Sequence, residues 1–249
     1  MSGRVKQGIV IPVYNHGKTT GAVVEKLSSL GLPIIIVDDG SDSETKSCLE
    51  QIHRAFPLTV PVALEHNSGK GGAVLAGLKK AAELGFSHVL QIDADGQHDT
   101  GQAAFFLAES AAHPQAAICS YPIYDESVPA SRKHGRKIGN TWAKIVTLSS
   151  CIVDSMVGFR VYPVTQVLGV CRHAHLDLRM GFDIEVLVRM VWKNIPLMYH
   201  PLRVYYPVDG ISHFRPVRDN IGISLVYTKL CCGMLLRWPL LLWRKLKNR

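Results

Sequence analysis

The chain has 249 residues, of which 47% are hydrophobic and 19% charged, a composition that excludes an intrinsically disordered protein and predicts one large domain with a sizeable core. Its formal net charge of +8 is unevenly distributed, because residues 1–131 contain 9 Lys/Arg and 14 Asp/Glu whereas residues 132–249 contain 19 and 6. A basic second half without any nucleic-acid-binding motif favours phosphate-bearing substrates or an anionic membrane face, and we expect no nucleic acid partner.

Apolar runs and helical patterns alternate through the first hundred residues. Strands are predicted at residues 8–13, 33–37, 58–65 and 88–92, and helices at residues 19–30, 43–55 and 71–84. Such alternation is typical of a mostly parallel central sheet flanked by helices. Further on, the pattern predicts helices at 102–113 and 137–148 and short strands at 197–206, with no internal repeat.

Polar clusters follow three of these strands, namely Tyr14-Asn15, Asp38-Asp39 and Asp93-Ala94-Asp95. Ligands of parallel α/β sheets bind beyond the carboxyl ends of the strands, so the three clusters are expected to share one site. Two carboxylates spaced as Asp-x-Asp suit a hard divalent cation, Mg²⁺ or Mn²⁺, although such a pair by itself often only caps a turn. Gln97 and His98 add possible ligands directly after it.

A glycine-rich stretch, Asn67-Ser68-Gly69-Lys70-Gly71-Gly72, precedes the third predicted helix. It is not a P-loop, which requires glycine where this chain has Leu64 and Ser or Thr where it has Gly71. It is not a dinucleotide fingerprint either, because Val74 replaces the required Gly or Ala. A glycine-rich helix start with one lysine suits the phosphates of a nucleotide sugar, and a plain helix N-terminus is the alternative for Lys70.

Four motifs in this order resemble the family 2 glycosyltransferases of the GT-A fold, in the dolichyl-phosphate-mannose-synthase-like branch. They are Ile11-Pro12-Val13-Tyr14-Asn15, Val37-Asp38-Asp39-Gly40-Ser41, the glycine-rich stretch, and Asp93-Ala94-Asp95-Gly96-Gln97-His98. The resemblance implies a Rossmann-like GT-A sheet and a set of nucleotide-sugar-binding residues: Pro12, Tyr14, Asn15, Val37, Asp39, Lys70, Asp93 and Ala94. It also implies a metal site made of Asp93, Asp95, Gln97 and His213, with Asp95 as the direct, catalytic ligand.

The second half matches the same branch in four segments, at residues 131–142, 154–160, 182–185 and 210–215. The resemblance implies that acceptor or phosphate contacts come from Arg132, Arg136, Asn140, Arg160 and Arg215. Arg136 and Asn140 are one helical turn apart and should point the same way. If the acceptor is a hydroxyl, Asp183 or Glu185 becomes the catalytic base, whereas solvated acids on an amphipathic helix are the alternative.

The C-terminal residues 221–249 are predicted to form an amphipathic helical tail after a catalytic domain at residues 1–220. Lys229, Arg237 and Pro239 interrupt its apolar residues, so no run reaches the roughly 20 residues of a membrane span. Trp238, Trp243 and the basic end favour association with an anionic membrane surface. A helix packed on the domain and a dimer contact are the alternatives.

The six cysteines lack C-x-x-C and zinc-type spacing, so free thiols in a reducing compartment are expected. No signal-peptide pattern opens the chain, and we expect a cytoplasmic protein that is peripheral at the inner face of the membrane.

The hypothesis is therefore a metal-dependent glycosyltransferase that moves a sugar from a UDP- or GDP-linked donor to a lipid-linked or membrane-derived acceptor. The family resemblance implies inversion at the transferred sugar. One alternative is a catalytically inactive transferase-like module that binds lipid or protein. The other is a nucleotidyltransferase, which would require a glycine-rich basic loop after the first strand, where this chain has residues 11–15 instead.

Overall fold

The computed structural model describes residues 5–124, 130–172, 174–205 and 215–247. Seven strands are present there: β1 (Gln7–Val13), β2 (Ile34–Asp38), β3 (Thr59–Ala63), β4 (His88–Gln91), β5 (Ala117–Ile123), β6 (Arg160–Pro163) and β7 (Leu197–Arg203). The helices are α1 (Gly17–Ser28), α2 (Ser43–Ala55), α3 (Lys70–Glu83), α4 (Ala103–Ala112), α5 (Ala130–Thr147), α6 (Val164–Arg172), α7 (Phe182–Trp192), α8 (Pro216–Leu235) and α9 (Trp238–Lys247).

The strands form one sheet in the order β3-β2-β1-β4-β6-β5-β7. β1 pairs in parallel with β2 and β4, β2 pairs in parallel with β3, and β5 pairs in parallel with β7. β6 is antiparallel to both of its neighbours, β4 and β5. The predicted mostly parallel sheet is confirmed. Strands β5 and β6 were not predicted. β6 is difficult to recognise in the sequence because it is a fully buried four-residue strand that begins with Arg160 and shows no apolar alternation.

Helices cover both faces of the sheet, which is why its central strands are apolar without interruption. In β1, Ile9 and Ile11 face the layer that contains α1, α2 and α4, whereas Val10 faces the layer that contains α3 and α5 to α9. β2 alternates in the same way, so Ile35 and Val37 face α3. Packing there is close enough that a Cβ on Gly77 of α3 would lie 2.4 Å from Val10 Cγ1.

The helices of the C-terminal segment pack on the domain along one face and leave the other face exposed. Val226, Tyr227 and Leu230 of α8 are buried against the core, and Tyr227 donates a hydrogen bond to the carbonyl of Gly139 at 2.7 Å. The predicted boundary between residues 220 and 221 falls inside α8. Within the described ranges, no single helix is long and apolar enough to cross a membrane, although α8 and α9 together meet that criterion with a bend of 74° between them.

Candidate active site

A cleft of about 670 Å³ opens at the carboxyl ends of β1, β2 and β4. The loops that follow these strands and the N-terminus of α3 line it, as expected for a parallel sheet. The predicted residues that line it are Pro12, Tyr14, Asp39, Lys70, Asp93, Ala94, Asp95, Gln97 and Arg215. The structure thus brings together residues that are distant in sequence: Pro12 and Arg215, about 200 positions apart in the chain, line the same cleft.

Asp39 supports the glycine-rich start of α3. Its carboxylate accepts hydrogen bonds from the backbone N–H groups of Ser68 at 2.7 Å and Gly69 at 2.9 Å. Burial raises the pKa of Asp39, although these two N–H groups and Arg179 act in the opposite direction. Gly69 has φ +88°, and a Cβ there would lie 2.6 Å from the carbonyl oxygen of Leu178, so this turn requires glycine.

Lys70 is the centre of an ion-pair network at the floor of the cleft. Its Nζ lies 3.0 Å from both carboxylate oxygens of Asp93 and 2.9 Å from Asp183 Oδ2. Burial lowers the pKa of Lys70, but the two carboxylates raise it by more, so the ammonium ion stays charged. Gly158 packs directly on this pair, because a Cβ there would lie 2.5 Å from Asp93 Oδ2 and 2.6 Å from Lys70 Nζ.

The Asp-x-Asp loop offers oxygen ligands for a divalent cation. Asp95 Oδ1 accepts the backbone N–H of Gln97 at 3.0 Å, which leaves lone pairs on the carboxylate, and both residues face the cleft. The carboxylate of Asp93 instead forms an ion pair with Lys70. Within the described ranges, no group of three or more His, Cys, Asp or Glu side chains is placed to hold a metal. Mg²⁺ typically takes one or two carboxylates and completes its shell with substrate phosphates and water, so Asp95 and Gln97 fit it.

Three arginines approach the cleft from the C-terminal half of the chain. Arg215 was predicted as a phosphate contact, whereas Arg179 and Arg218 were missed. Arg179 lies just before the predicted acidic segment that begins at Phe182, and that proximity was a usable signal. Arg218 follows the predicted contact Arg215 by three residues, but whether its side chain reaches the cleft depends on the docking of α8. Arginines opposite an acidic loop are suited to a diphosphate held between them and a cation.

Several predicted site residues lie elsewhere. Val37 is fully buried beneath α3, so its side chain does not reach a nucleoside in the cleft. Asn15 braces two loops instead, because its Oδ1 accepts the N–H of Asp42 at 3.0 Å. Arg160 is fully buried in the core, where it donates to Asp183 Oδ1 and to the Tyr162 hydroxyl, both at 3.1 Å. Arg160 therefore faces neither the cleft nor solvent, and its contact with an acceptor stays a prediction.

The two predicted base candidates point in different directions from α7. Asp183 faces the floor of the cleft, between Lys70 and Arg160. Glu185 is fully buried on the other side, where Arg189 Nη2 lies 2.6 Å and Lys229 Nζ 2.8 Å from its Oε1. Glu185 points away from the side of α7 that carries Asp183, because residues two apart on a helix differ by about 200° around its axis, and its role as a catalytic base stays a prediction.

The predicted acceptor residues of α5 do share a face, as their spacing indicated. Arg136 Nη1 pairs with Asp154 Oδ2 at 2.8 Å, and Asn140 Oδ1 accepts the N–H of Ser155 at 3.0 Å. Both also line a second cavity of about 350 Å³, together with Lys137 and Lys144. The side chain of Arg132 and the whole of His213 lie outside the described part of the chain, so their predicted roles stay predictions.

The sheet, with its Asp-x-Asp loop at the carboxyl ends of parallel strands, has the GT-A fold. Two solved structures share this fold. One is TarS 1–349 from S. aureus, with a TM-score of 0.57, 18% identity and coverage of 80% of this chain and 60% of that one. The other is the mannosyltransferase PcManGT from Pyrobaculum calidifontis in complex with GDP-Man and Mn²⁺, with a TM-score of 0.59, 15% identity and coverage of 84% and 59%. This chain therefore spans about three fifths of either structure.

The chain belongs to glycosyl transferase family 2, whose model matches residues 8–164. Its relatives place it in the dolichyl-phosphate-mannose-synthase-like branch. The UDP-N-acetylglucosamine–dolichyl-phosphate N-acetylglucosaminyltransferase of Methanococcus voltae is 28% identical over 243 residues, which cover 91% of this chain and 95% of the relative. The polyprenol monophosphomannose synthase of Mycolicibacterium smegmatis is 29% identical over 160 residues, which cover 62% and 60%. The predicted family is confirmed. It favours a glycosyltransferase over a nucleotidyltransferase.

Proposed function

We propose that this enzyme transfers a sugar, with inversion, from a UDP- or GDP-linked donor to a polyprenyl phosphate. The observation that carries the acceptor class is the engagement of both predicted bases in ion pairs. Asp183 lies between two cations, Lys70 at 2.9 Å and Arg160 at 3.1 Å. Glu185 is buried between Arg189 and Lys229. Both carboxylates are thus engaged by cations of the protein itself, so neither is free to take a proton from an acceptor hydroxyl.

A phosphate acceptor does not need such a base, because its oxygen is already ionised near neutral pH. In the proposed reaction this oxygen attacks the anomeric carbon of the donor sugar. The bond between that carbon and the β-phosphate oxygen breaks, and its electron pair leaves with the nucleoside diphosphate. A hydroxyl acceptor would have to lose a proton during the same step, and neither of the predicted bases is available to accept it.

The residues of the cleft have distinct parts in this proposal. Pro12, Tyr14 and Asp39 lie where the nucleoside would bind, and Arg179, Arg215 and Arg218 would offset negative charge that grows on the leaving diphosphate. Asp95 and Gln97 would hold Mg²⁺ or Mn²⁺, which when bound supplies further charge neutralisation at that diphosphate. Lys70 would keep Asp93 oriented and ionised.

The relatives support the same acceptor class. The M. voltae relative is named for transfer from a UDP-linked sugar to dolichyl phosphate and aligns along nearly the whole of both chains. The M. smegmatis relative is named for a polyprenol monophosphate product. The solved mannosyltransferase was crystallised with GDP-mannose and Mn²⁺, so relatives span both nucleotide classes.

The acceptor class can be tested by comparing polyprenyl phosphate with the matched polyprenol, each with UDP- and GDP-linked sugars. We expect labelled lipid from the phosphate alone and a rate that levels off above about pH 7, once the phosphate is doubly ionised. Asp183→Asn should lower the rate while leaving the shape of this pH profile unchanged. Transfer to the polyprenol, or a profile whose ionisation disappears in Asp183→Asn, would refute a base-free mechanism.

We also propose that the outer face of α8 and α9 binds an anionic membrane surface, which would place a cytoplasmic enzyme beside its lipid acceptor. Leu236 is 83%, Trp238 51% and Trp243 58% exposed. Lys245 and Lys247 of α9 flank this apolar surface, whereas Arg237 and Arg244 turn toward Trp192 of the domain. Apolar contact combined with basic residues is the usual composition of an interfacial anchor.

Replacing both exposed tryptophans should release the enzyme from membranes. The double variant Trp238→Ser/Trp243→Ser is expected to bind vesicles containing anionic phospholipid about 10-fold more weakly or worse, because tryptophan prefers the membrane interface. Leu58→Ser, which removes an exposed leucine outside α8 and α9, should leave vesicle binding unchanged. If the wild-type protein does not bind the vesicles but sediments as a dimer, this face is a contact between subunits instead.

A further inference from the structure

We propose that Lys229 and Glu185 position residues 174–181 against the donor cleft, so that α8 becomes part of the nucleotide-sugar site and Arg179 contacts the bound nucleotide. The inference rests on the proposed function in requiring a nucleotide donor. It assigns Lys229 and Glu185 as positioning residues, whereas Arg179 would touch the ligand itself.

Glu185 is a buried junction between three parts of the structure. Its Oε1 receives Arg189 of the same helix at 2.6 Å, and Lys229 Nζ of α8 lies 2.8 Å from Oε1 and 2.9 Å from Oε2. Oε2 also accepts the backbone N–H of Asp177 at 2.9 Å. One carboxylate therefore connects α7, α8 and the irregular segment before α7. A group of this kind is not a solvated surface acid.

The same contacts hold the segment from both ends. Lys229 Nζ donates to the carbonyl of His175 at 2.5 Å, next to its ion pair with Glu185. Asp177 Oδ2 in turn accepts the N–H of Gly181 at 2.7 Å, which closes the segment immediately before α7. Residues 174–181 contain no strand or regular helix, so these side-chain contacts add to a few isolated backbone hydrogen bonds, such as that from Leu176 N–H to the carbonyl of Ala174 at 3.0 Å, in fixing their path.

The held segment forms part of the wall of the donor cleft. The carbonyl of Leu178 accepts the N–H of Gly72 at 3.1 Å and occupies the place where a Gly69 side chain would be. The next residue, Arg179, lines the cleft, and its charge favours the ionised form of Asp39. A displacement of this segment would therefore move an arginine relative to the predicted nucleoside site and loosen the start of α3.

Helix α8 enters the same cleft at its other end. Arg215, at the N-terminal end of α8, and Arg218 both line the cleft, and Lys229 lies about 20 Å farther along the axis at 1.5 Å per residue. One helix thus contributes two arginines directly and positions a third through Glu185. The apolar surface proposed to bind the membrane continues from the same helix.

The test is the binding of UDP and GDP to the full-length protein, measured by calorimetry with Mn²⁺ present. For the nucleotide that binds, we expect about 10-fold weaker affinity in Lys229→Met and at least that loss in Arg179→Ala, within the range of ordinary coupling between sites. The double variant should bind as weakly as Arg179→Ala alone, because Lys229 acts through Arg179. Lys229→Arg should recover most of the loss, and Lys26→Met, at an exposed position of α1, should leave the nucleotide affinity unchanged.

A second measurement follows the segment itself and remains informative if Lys229→Met is destabilised. Trypsin cleavage after Arg179 should be faster in Glu185→Gln than in wild type, and bound nucleotide should slow it in both. Unchanged affinity in Lys229→Met, or losses that add in the double variant, would overturn this inference while leaving the donor site intact. A wild-type protein that binds neither nucleotide would refute the proposed function, and this inference with it.

Discussion

Asp95→Ala is expected to reduce kcat/KM by about 10³-fold, equivalent to roughly 4 kcal/mol of transition-state stabilisation. Asp95 faces the cleft and accepts one backbone N–H at 3.0 Å, so its carboxylate retains capacity for a cation. Asp93 cannot take over that role without giving up Lys70, which lies 3.0 Å from both of its oxygens. Initial rates of sugar transfer measure this loss of kcat/KM, and calorimetry with UDP and GDP, with Mn²⁺ present or chelated, measures the metal-dependent part of nucleotide binding.

The matched control is Asp99→Ala, in the same loop region. Asp99 Oδ1 accepts the N–H of Gly101 at 3.0 Å, and Asp99 is not among the residues that line the cleft. Asp99 caps the short 3-10 helix at Thr100–Gln102, so its loss should cost about 1 kcal/mol of stability without affecting metal dependence. Nucleotide affinity that is insensitive to chelation, and equal in wild type and Asp95→Ala, would contradict the metal site.

Lys70→Met is expected to lower the free energy of unfolding by about 3 kcal/mol and to abolish activity. The substitution leaves Asp93 without its cation and Asp183 with Arg160 alone, in a region where the side chains of Lys70 and Asp93 are only 22% and 23% exposed. For a chain of this size the melting temperature should fall by roughly 6–12 °C. The control is Lys80→Met on the same helix, whose exposed pair with Glu83 should contribute less than about 0.5 kcal/mol.

The loss of unfolding free energy in Lys70→Met should depend on pH, in a direction set by the pKa of Asp93. The folded-state pKa of Asp93 is lowered: burial raises it, but Lys70, His98 and Arg160 together lower it by more. The stabilisation is therefore present above the pKa of an unfolded aspartate, about 3.9, and disappears as the pH falls through the folded-state value. The difference between wild type and Lys70→Met should be largest near neutral pH and shrink in acid. Equal losses in both lysine variants at pH 7 would contradict the network.

Much of the cleft was predictable because parallel strands bring distant segments to one edge. Each of the motifs at Tyr14, Asp39 and Asp93 directly follows a buried strand, and the carboxyl ends of β1, β2 and β4 are adjacent in the sheet. The local sequence was therefore sufficient to predict that these three motifs meet in one site. The same rule separates Asp39, which follows β2, from Val37, whose side chain alternates into the core beneath α3.

The errors arise where a side chain's direction depends on partners distant in sequence. Asp183 and Glu185 belong to one motif, yet helical geometry sends them to opposite sides of α7, toward Lys70 and Lys229 respectively. The sequence predicts Arg160 as a cation that contacts a phosphate, but its position in β6 places it in the core beside Tyr162. A buried arginine is tolerated there because Asp183 compensates its charge.

The sequence by itself determined the family, the parallel sheet and the strand-end loops, since periodicity and short motifs are local properties of the chain. Only the tertiary structure decided which charges meet. The docking of α8 brings Arg218 to the donor cleft and Lys229 to Glu185, and neither contact has a local signature. The physical reason is that ion pairs depend on distances of a few ångströms between residues far apart in sequence, and packing alone sets those distances.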